Sequence, residues 1–328
     1  MAVPAVRTGR RITGMAAVLL PYDAGGEIDW AAFTAGVERT AAAGLVPAVN
    51  MDTGYGPSLD AATRARVLAV AAATVAGGEP VPGWSLVAGA HVADAADPRF
   101  DVDAHRAALA VVAEAGGVPI VFPSAGLAGL PEGDVAAAHA AIADAVDRLL
   151  AFELGQQFHP CGRIWSLETY ASVLAIPQVV GAKHSSLRRG PEWARLAVRD
   201  ERRPGFLVLS GNDLAVDMVR WGSDYLLGLS TFAPAAFARR DRLWAAGDAA
   251  ALELDDALQA LGAVAFRDPV PAYRHDAALT WRHRGWSSTA AVHTDCPRRP
   301  DGEAALVATL LARLDDTVAA VPVTSAAG

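Results

Sequence analysis

The segment GAKHSS, residues 181–186, closes the apolar run IPQVV, and Lys183 within it is the only lysine among the chain's 28 lysine and arginine residues. Every other basic charge is written as arginine. A guanidinium keeps its proton in any protein environment, whereas an amine taken out of water loses its proton readily and can attack a carbonyl carbon. Lys183 is therefore the leading candidate nucleophile. The competing reading is a structural lysine paired with Glu153 or Asp213, since a buried ion pair also tolerates a strand ammonium. Other polar residues close apolar runs in the same way: Asp52 and Thr53, His91, Glu153, His184, Asn212 and Asp213, and Ser230 and Thr231. Glu153 or Asp52, with a raised pKa, would serve as general acid and base beside the amine. Asp52, His91, Glu153, His184 and Asp213 are also metal-ligand types. No His-x-His pair follows the first apolar run, where LLPYD stands, and the expectation is a site with neither metal nor cofactor.

These residues need elements to hold them. Short apolar runs ended by Gly, Pro or polar residues recur at 14–22, 44–53, 84–92, 118–126, 148–155, 177–185, 205–213 and 224–232. Helix-period stretches lie between them, most opened by an Asp that can cap first-turn amides. Strands apolar on both faces and alternating with helices make a parallel sheet covered on both sides. Eight such units predict a closed (β/α)8 TIM barrel, an α/β fold whose active site lies at the C-terminal strand ends. An open doubly wound sheet would carry a Gly-rich phosphate turn after its first strand, where this chain reads LLPYDAGGEID. After residue 250 the pattern is helical only. The expected organisation is a barrel catalytic domain over 1–248 and a C-terminal helical extension over 249–328. By strand alternation His184, next to Lys183, should point away from the lumen.

Composition narrows the function classes. A net charge of −8 with scattered arginines argues against a nucleic-acid partner. Cys161 and Cys296 are too few and too far apart for a disulfide framework, which fits a reduced cytoplasmic setting. The basic N-terminus leads into an apolar stretch that breaks at Pro21, so no signal peptide is expected. No window approaches the roughly 18–20 apolar residues of a spanning helix, so no membrane partner is expected.

GAKHSS, preceded by LETYASVLAIPQVV, resembles the Schiff-base lysine segment of the dihydrodipicolinate synthase and N-acetylneuraminate lyase superfamily. The resemblance spans most of residues 12–300. GMAAVLLPYDAGGEID is similar to the superfamily's opening motif, LSGND to its SGDD, and GSDYLLGLSTFAP to its GADGVISV segment. It implies a class I lyase in which Lys183 forms a Schiff base with a keto substrate, typically a keto acid, for cleavage or formation of a C–C or C–O bond. It implies a homo-oligomer, dimer or tetramer. It also implies substrate contacts at Thr53 and Gly54, which match the carboxylate-binding GTTGE motif as MDTGY, and at Gly211 and Asn212 from LSGND; His91 at the mouth is a further candidate contact.

The departures matter as much. Asp52 replaces the first threonine of that motif, and an anionic Asp52 should repel a pyruvate carboxylate. The superfamily's strand-five tyrosine falls at or next to Glu153, with Phe158 the alternative, and its PYY motif is replaced by FPSAG at 122–126. Dihydrodipicolinate synthase activity itself is therefore not expected. Two other classes stay open: a catalytically inactive metabolite-binding barrel, and a metal-dependent hydrolase on the same fold.

Overall fold

The computed structural model describes residues 3–93 and 99–321; the ends of the two expected domains, at 1–2 and 322–328, lie outside them. Eight parallel strands close into a barrel in sequence order: β1 (Gly14–Ala17), β2 (Val46–Val49), β3 (Val87–Ala90), β4 (Val118–Val121), β5 (Leu149–Leu154), β6 (Val179–Ser185), β7 (Leu207–Ser210) and β8 (Asp224–Leu227). Each lies inside a run expected from the sequence. The surrounding helices are α1 (Trp30–Ala43), α2 (Ala61–Thr74), α3 (Val102–Glu114), α4 (Ala125–Ala128), α5 (Val135–Ala143), α6 (Leu167–Leu174), α7 (Arg189–Arg202) and α8 (Pro234–Ala245). Asp29, Asp60 and Asp101 cap α1, α2 and α3, accepting from Ala32, Thr63 and Ala104 amides at 2.9, 2.6 and 3.0 Å.

Alternate residues of each strand divide the core in two. Met15, Val46, Val87, Ile120, Leu150 and Leu226 are among those that fill the barrel interior. Their neighbours, such as Ala16, Ala88, Ala151 and Val208, pack outward against the helices. The interior is thus a packed core below its C-terminal mouth.

The crossover from β7 to β8 departs from the expected helix. Val216–Trp221 forms a 3-10 helix closed by Gly222 at φ 109°. The C-terminal extension covers this face instead. In α9 (Ala250–Ala265) the Asp255 carboxylate accepts from Arg220 at 2.8 Å and from Arg240, and Gln259 accepts from the Val216 amide at 3.1 Å. Two more helices follow, α10 (Tyr273–His283) and α11 (Glu303–Ala320). The start of α10 sits at the barrel mouth, where Tyr273 donates to Asp52 Oδ2, and nearer its end Trp281 donates to the Thr231 carbonyl at 3.0 Å. Gly36 of α1 lets them meet, because a Cβ there would stand 2.3 Å from the Trp281 ring.

Candidate active site

Lys183 pairs in register with Phe152 of β5 and Leu209 of β7, both interior residues, so its side chain enters the lumen. It is 7% exposed, and its ammonium nitrogen lies 4.7 Å from the centre of the Phe152 ring. Among the described residues this nitrogen makes no hydrogen bond and no ion pair. Burial draws its pKa down to about 8, against the opposing pull of Asp213 and Asp52. Gly211, just past β7, makes the room: a Cβ there would stand 2.8 Å from Lys183 Cε and 2.1 Å from Ser185 Oγ.

Asp213 and Asp52 are the two charges acting on the amine. Asp213 does not cap the segment after β7. It accepts from the Leu229 amide at 2.7 Å and so caps the turn after β8, which aims it across the mouth. Burial pushes its carboxyl up to about 7, against that hydrogen bond and the Lys183 charge. Asp52, Thr53 and Gly54 form a 3-10 turn after β2. Tyr273, at the start of α10, donates to Asp52 Oδ2 at 2.8 Å and shares a 2.9 Å hydrogen bond with Thr53 Oγ1. Arg274 Nη1 lies 3.7 Å from Asp52 Oδ1. Gly54 allows the turn to press on β1, since a Cβ there would meet the Val18 carbonyl at 3.1 Å.

His91 follows β3 and stacks on Phe122, centroids 4.2 Å apart and planes at 25°. Its Nε2 lies 2.8 Å from the Asn50 carbonyl, which can only accept, so Nε2 carries the proton and Nδ1 is left as an acceptor. Burial pushes its pKa down to about 4, keeping the ring neutral near pH 7. Asn212 uses its side-chain oxygen to accept from the Leu214 amide at 3.2 Å, so it shapes the turn after β7.

Glu153 requires a correction. It pairs in register with His184, on the helix-facing side of the sheet, and is fully buried. Its oxygens accept from Arg195 at 2.6 and 2.8 Å and from the Trp165 amide at 2.9 Å, and one lies 2.8 Å from His184 Nδ1. Burial pushes its carboxyl upward, but Arg195 and His184 outweigh that and hold it below the ordinary carboxylate range. A carboxylate so placed and so satisfied does not exchange protons in the lumen. Phe158, the alternative for the superfamily's tyrosine, stands in the turn beyond β5, its amide donating to the Gly155 carbonyl at 3.0 Å. The residue of β5 that faces Lys183 is Phe152, which carries no proton. His184 points outward as alternation required, its Nε2 2.8 Å from Ser186 Oγ. The five metal-ligand types therefore split between two faces, and among the described residues no three His, Cys, Asp or Glu side chains converge on a metal-holding geometry.

Sequence reasoning missed Tyr273 and Arg274, which enter from the extension, and Ser185, whose buried Oγ has no hydrogen-bond partner among the described residues. Lumen alternation from Lys183 pointed to Ser185. Nothing in the helical pattern VPAYRHDAAL singled out the other two.

No family model matches the chain, and no curated protein matches its sequence. Solved structures do match. Dihydrodipicolinate synthase from Thermotoga maritima superposes with a TM-score of 0.77 at 16% identity, over 94% of this chain and 99% of its own. The fold is that of the dihydrodipicolinate synthases. The enzyme from Agrobacterium tumefaciens gives 0.75 at 21% identity over 93% of this chain and 98% of that one. A prophage protein of the dihydrodipicolinic acid synthase family from E. coli K12, solved in complex with pyruvate, gives 0.76 at 16% identity, over 92% and 98%. Among the described residues no helix is long and apolar enough to cross a membrane.

Proposed function

We propose that the chain is a divergent member of the dihydrodipicolinate synthase and N-acetylneuraminate lyase superfamily, a class I lyase that forms a Schiff base between Lys183 and a carbonyl substrate. The observation that carries this reading is Lys183 itself: the only lysine of the chain, inside the barrel mouth, buried, without a hydrogen bond among the described residues, and with a pKa drawn toward neutrality. The shared fold supports it. The amine lone pair forms the new C–N bond. The carbonyl oxygen leaves as water with one proton from the amine and one from a neighbouring acid, and the iminium keeps the positive charge. Asp213, with its raised pKa, is the acid, and once ionised it faces that charge. The iminium then accepts the electron pair of a bond at the adjacent carbon, so the reaction makes or breaks a bond there.

The test is reductive trapping. Incubation with a panel of ketones and aldehydes plus borohydride should add one reduced adduct, mapped to the Lys183 peptide. Only the α-amino group competes, because the chain has no other lysine. Lys183→Met should abolish the adduct and leave the protein folded, since among the described residues the ammonium supports no hydrogen bond. No adduct on folded protein with any member of the panel would overturn the lyase reading and favour a barrel that binds a metabolite without turnover.

A further inference from the structure

We propose that the substrate of this site carries a hydroxyl, not a carboxylate, on the carbon beside the carbonyl that Lys183 attacks: a neutral hydroxyketone or hydroxyaldehyde in place of an α-keto acid. This rests on the Schiff-base reading and narrows it. Both charged groups that act on the amine are carboxylates, Asp213 and Asp52. A carboxylate one bond from the imine carbon would be brought against Asp52, and against Asp213 once it has given up its proton, inside a low-dielectric mouth, where like charges repel strongly. The nearby cation does not relieve this. Arg274 is already engaged by the Asp52 carboxylate at 3.7 Å, by the Pro271 carbonyl at 3.1 Å and by the face of Tyr55 at 5.0 Å.

The same surroundings suit a hydroxyl. Ser185 Oγ, 1% exposed and without a partner among the described residues, crowds the space above Gly211 together with Lys183 Cε. A buried hydroxyl with no partner is costly unless a ligand supplies one. Asp52 Oδ2 is held by Tyr273, while among the described residues Oδ1 has only the longer approach of Arg274, which leaves it able to accept from a substrate hydroxyl. His91 Nδ1 is a further acceptor at the mouth. Around them Phe152, Phe122 and the His91 ring form an apolar wall, suited to the C–H face of a hydroxylated chain and unsuited to an ion.

Three ketones isolate the point, because hydroxyacetone, pyruvate and acetone differ only in the group beside the carbonyl. Each trapping rate on the intact protein, read on the Lys183 peptide, is divided by its rate with free Nα-acetyllysine to remove intrinsic reactivity. Hydroxyacetone is expected to exceed pyruvate at least tenfold and acetone at least threefold. Asp52→Asn should narrow the gap to pyruvate to within threefold. Pyruvate trapping as fast as hydroxyacetone in the unmodified protein would overturn this inference and leave the Schiff base standing. Equal rates for acetone and hydroxyacetone would overturn the hydroxyl contact. No adduct from any of the three, nor from a wider panel, would overturn the lyase reading and this inference with it.

Discussion

Strands β5 and β6 carry two charged sites back to back, and neighbouring residues serve opposite purposes. On the lumen side Lys183 faces Phe152, and among the described residues its ammonium has no hydrogen bond. On the helix side Glu153 faces His184, and four hydrogen-bond donors converge on its two oxygens. Both groups are buried. Burial prevails on one, against the weaker pull of Asp213 and Asp52, and is overruled on the other, so the amine is drawn toward neutrality while the carboxylate is held ionised. A buried charge whose partners are all present is architecture; one left short of partners is ready to react.

The sharpest way to break this comparison is at its satisfied side. Glu153→Gln leaves Arg195 buried with no carboxylate, and breaking a buried pair in this way costs about 3–5 kcal/mol. The expected result is a large loss of stability in denaturant unfolding, with the trapping rate per folded molecule within threefold of the original. A variant that folds normally yet fails to trap would return Glu153 to the proton path, where the sequence had placed it.

That misplacement has a physical cause. The strand order was legible because Gly, Pro and polar residues punctuate each apolar run, and Lys183 stood out because an arginine could not do its chemistry. The face of Glu153 was not legible, because β5 reads LLAFEL and is apolar on both sides, so no alternation marks the lumen. Tyr273 and Arg274 were hidden for another reason. They lie in a helix whose pattern encodes packing, and only the tertiary path of the extension brings them to Asp52. The missing helix between β7 and β8 follows the same logic: α9 supplies the cover that LAVDMVRWG was expected to make.

The reactive side is sharpened by pH. Lys183 and Asp213 titrate as a pair, in two steps near 7 and 8. Below the lower step the amine is protonated and cannot attack; above the upper step the acid has lost its proton. Trapping with cyanoborohydride should therefore follow a bell that peaks between pH 7 and 8. Asp213→Asn keeps an oxygen to accept from Leu229 but has no acidic proton. Its trapping rate should fall on the order of a hundredfold, the usual worth of a positioned acid. The alkaline limb should vanish, and the acidic limb should move to lower pH because Asp213 no longer supports the ammonium. An unchanged bell in this variant would remove Asp213 from the chemistry.

A smaller effect tests the rear face by itself. Glu192 of α7 is fully buried, accepting from Ser223 Oγ at 2.6 Å and Ser210 Oγ at 3.1 Å, and burial raises its pKa to about 7 despite the His184 charge nearby. A carboxyl whose folded pKa lies above its unfolded value contributes stability in acid, and that contribution is lost as pH rises through about 7. Glu192→Gln carries no charge at any pH and so escapes the loss. The melting temperature of the variant relative to the original protein should rise by about 3 °C between pH 5 and pH 8.5, a shift that corresponds to roughly 2 kcal/mol in a chain of this size. Asp213 and Asp276, which also titrate near 7, are present in both proteins and cancel in the difference. A difference that stays constant with pH would mean that Glu192 is ionised throughout, its serine hydrogen bonds and the His184 charge having offset burial as Arg195 does for Glu153.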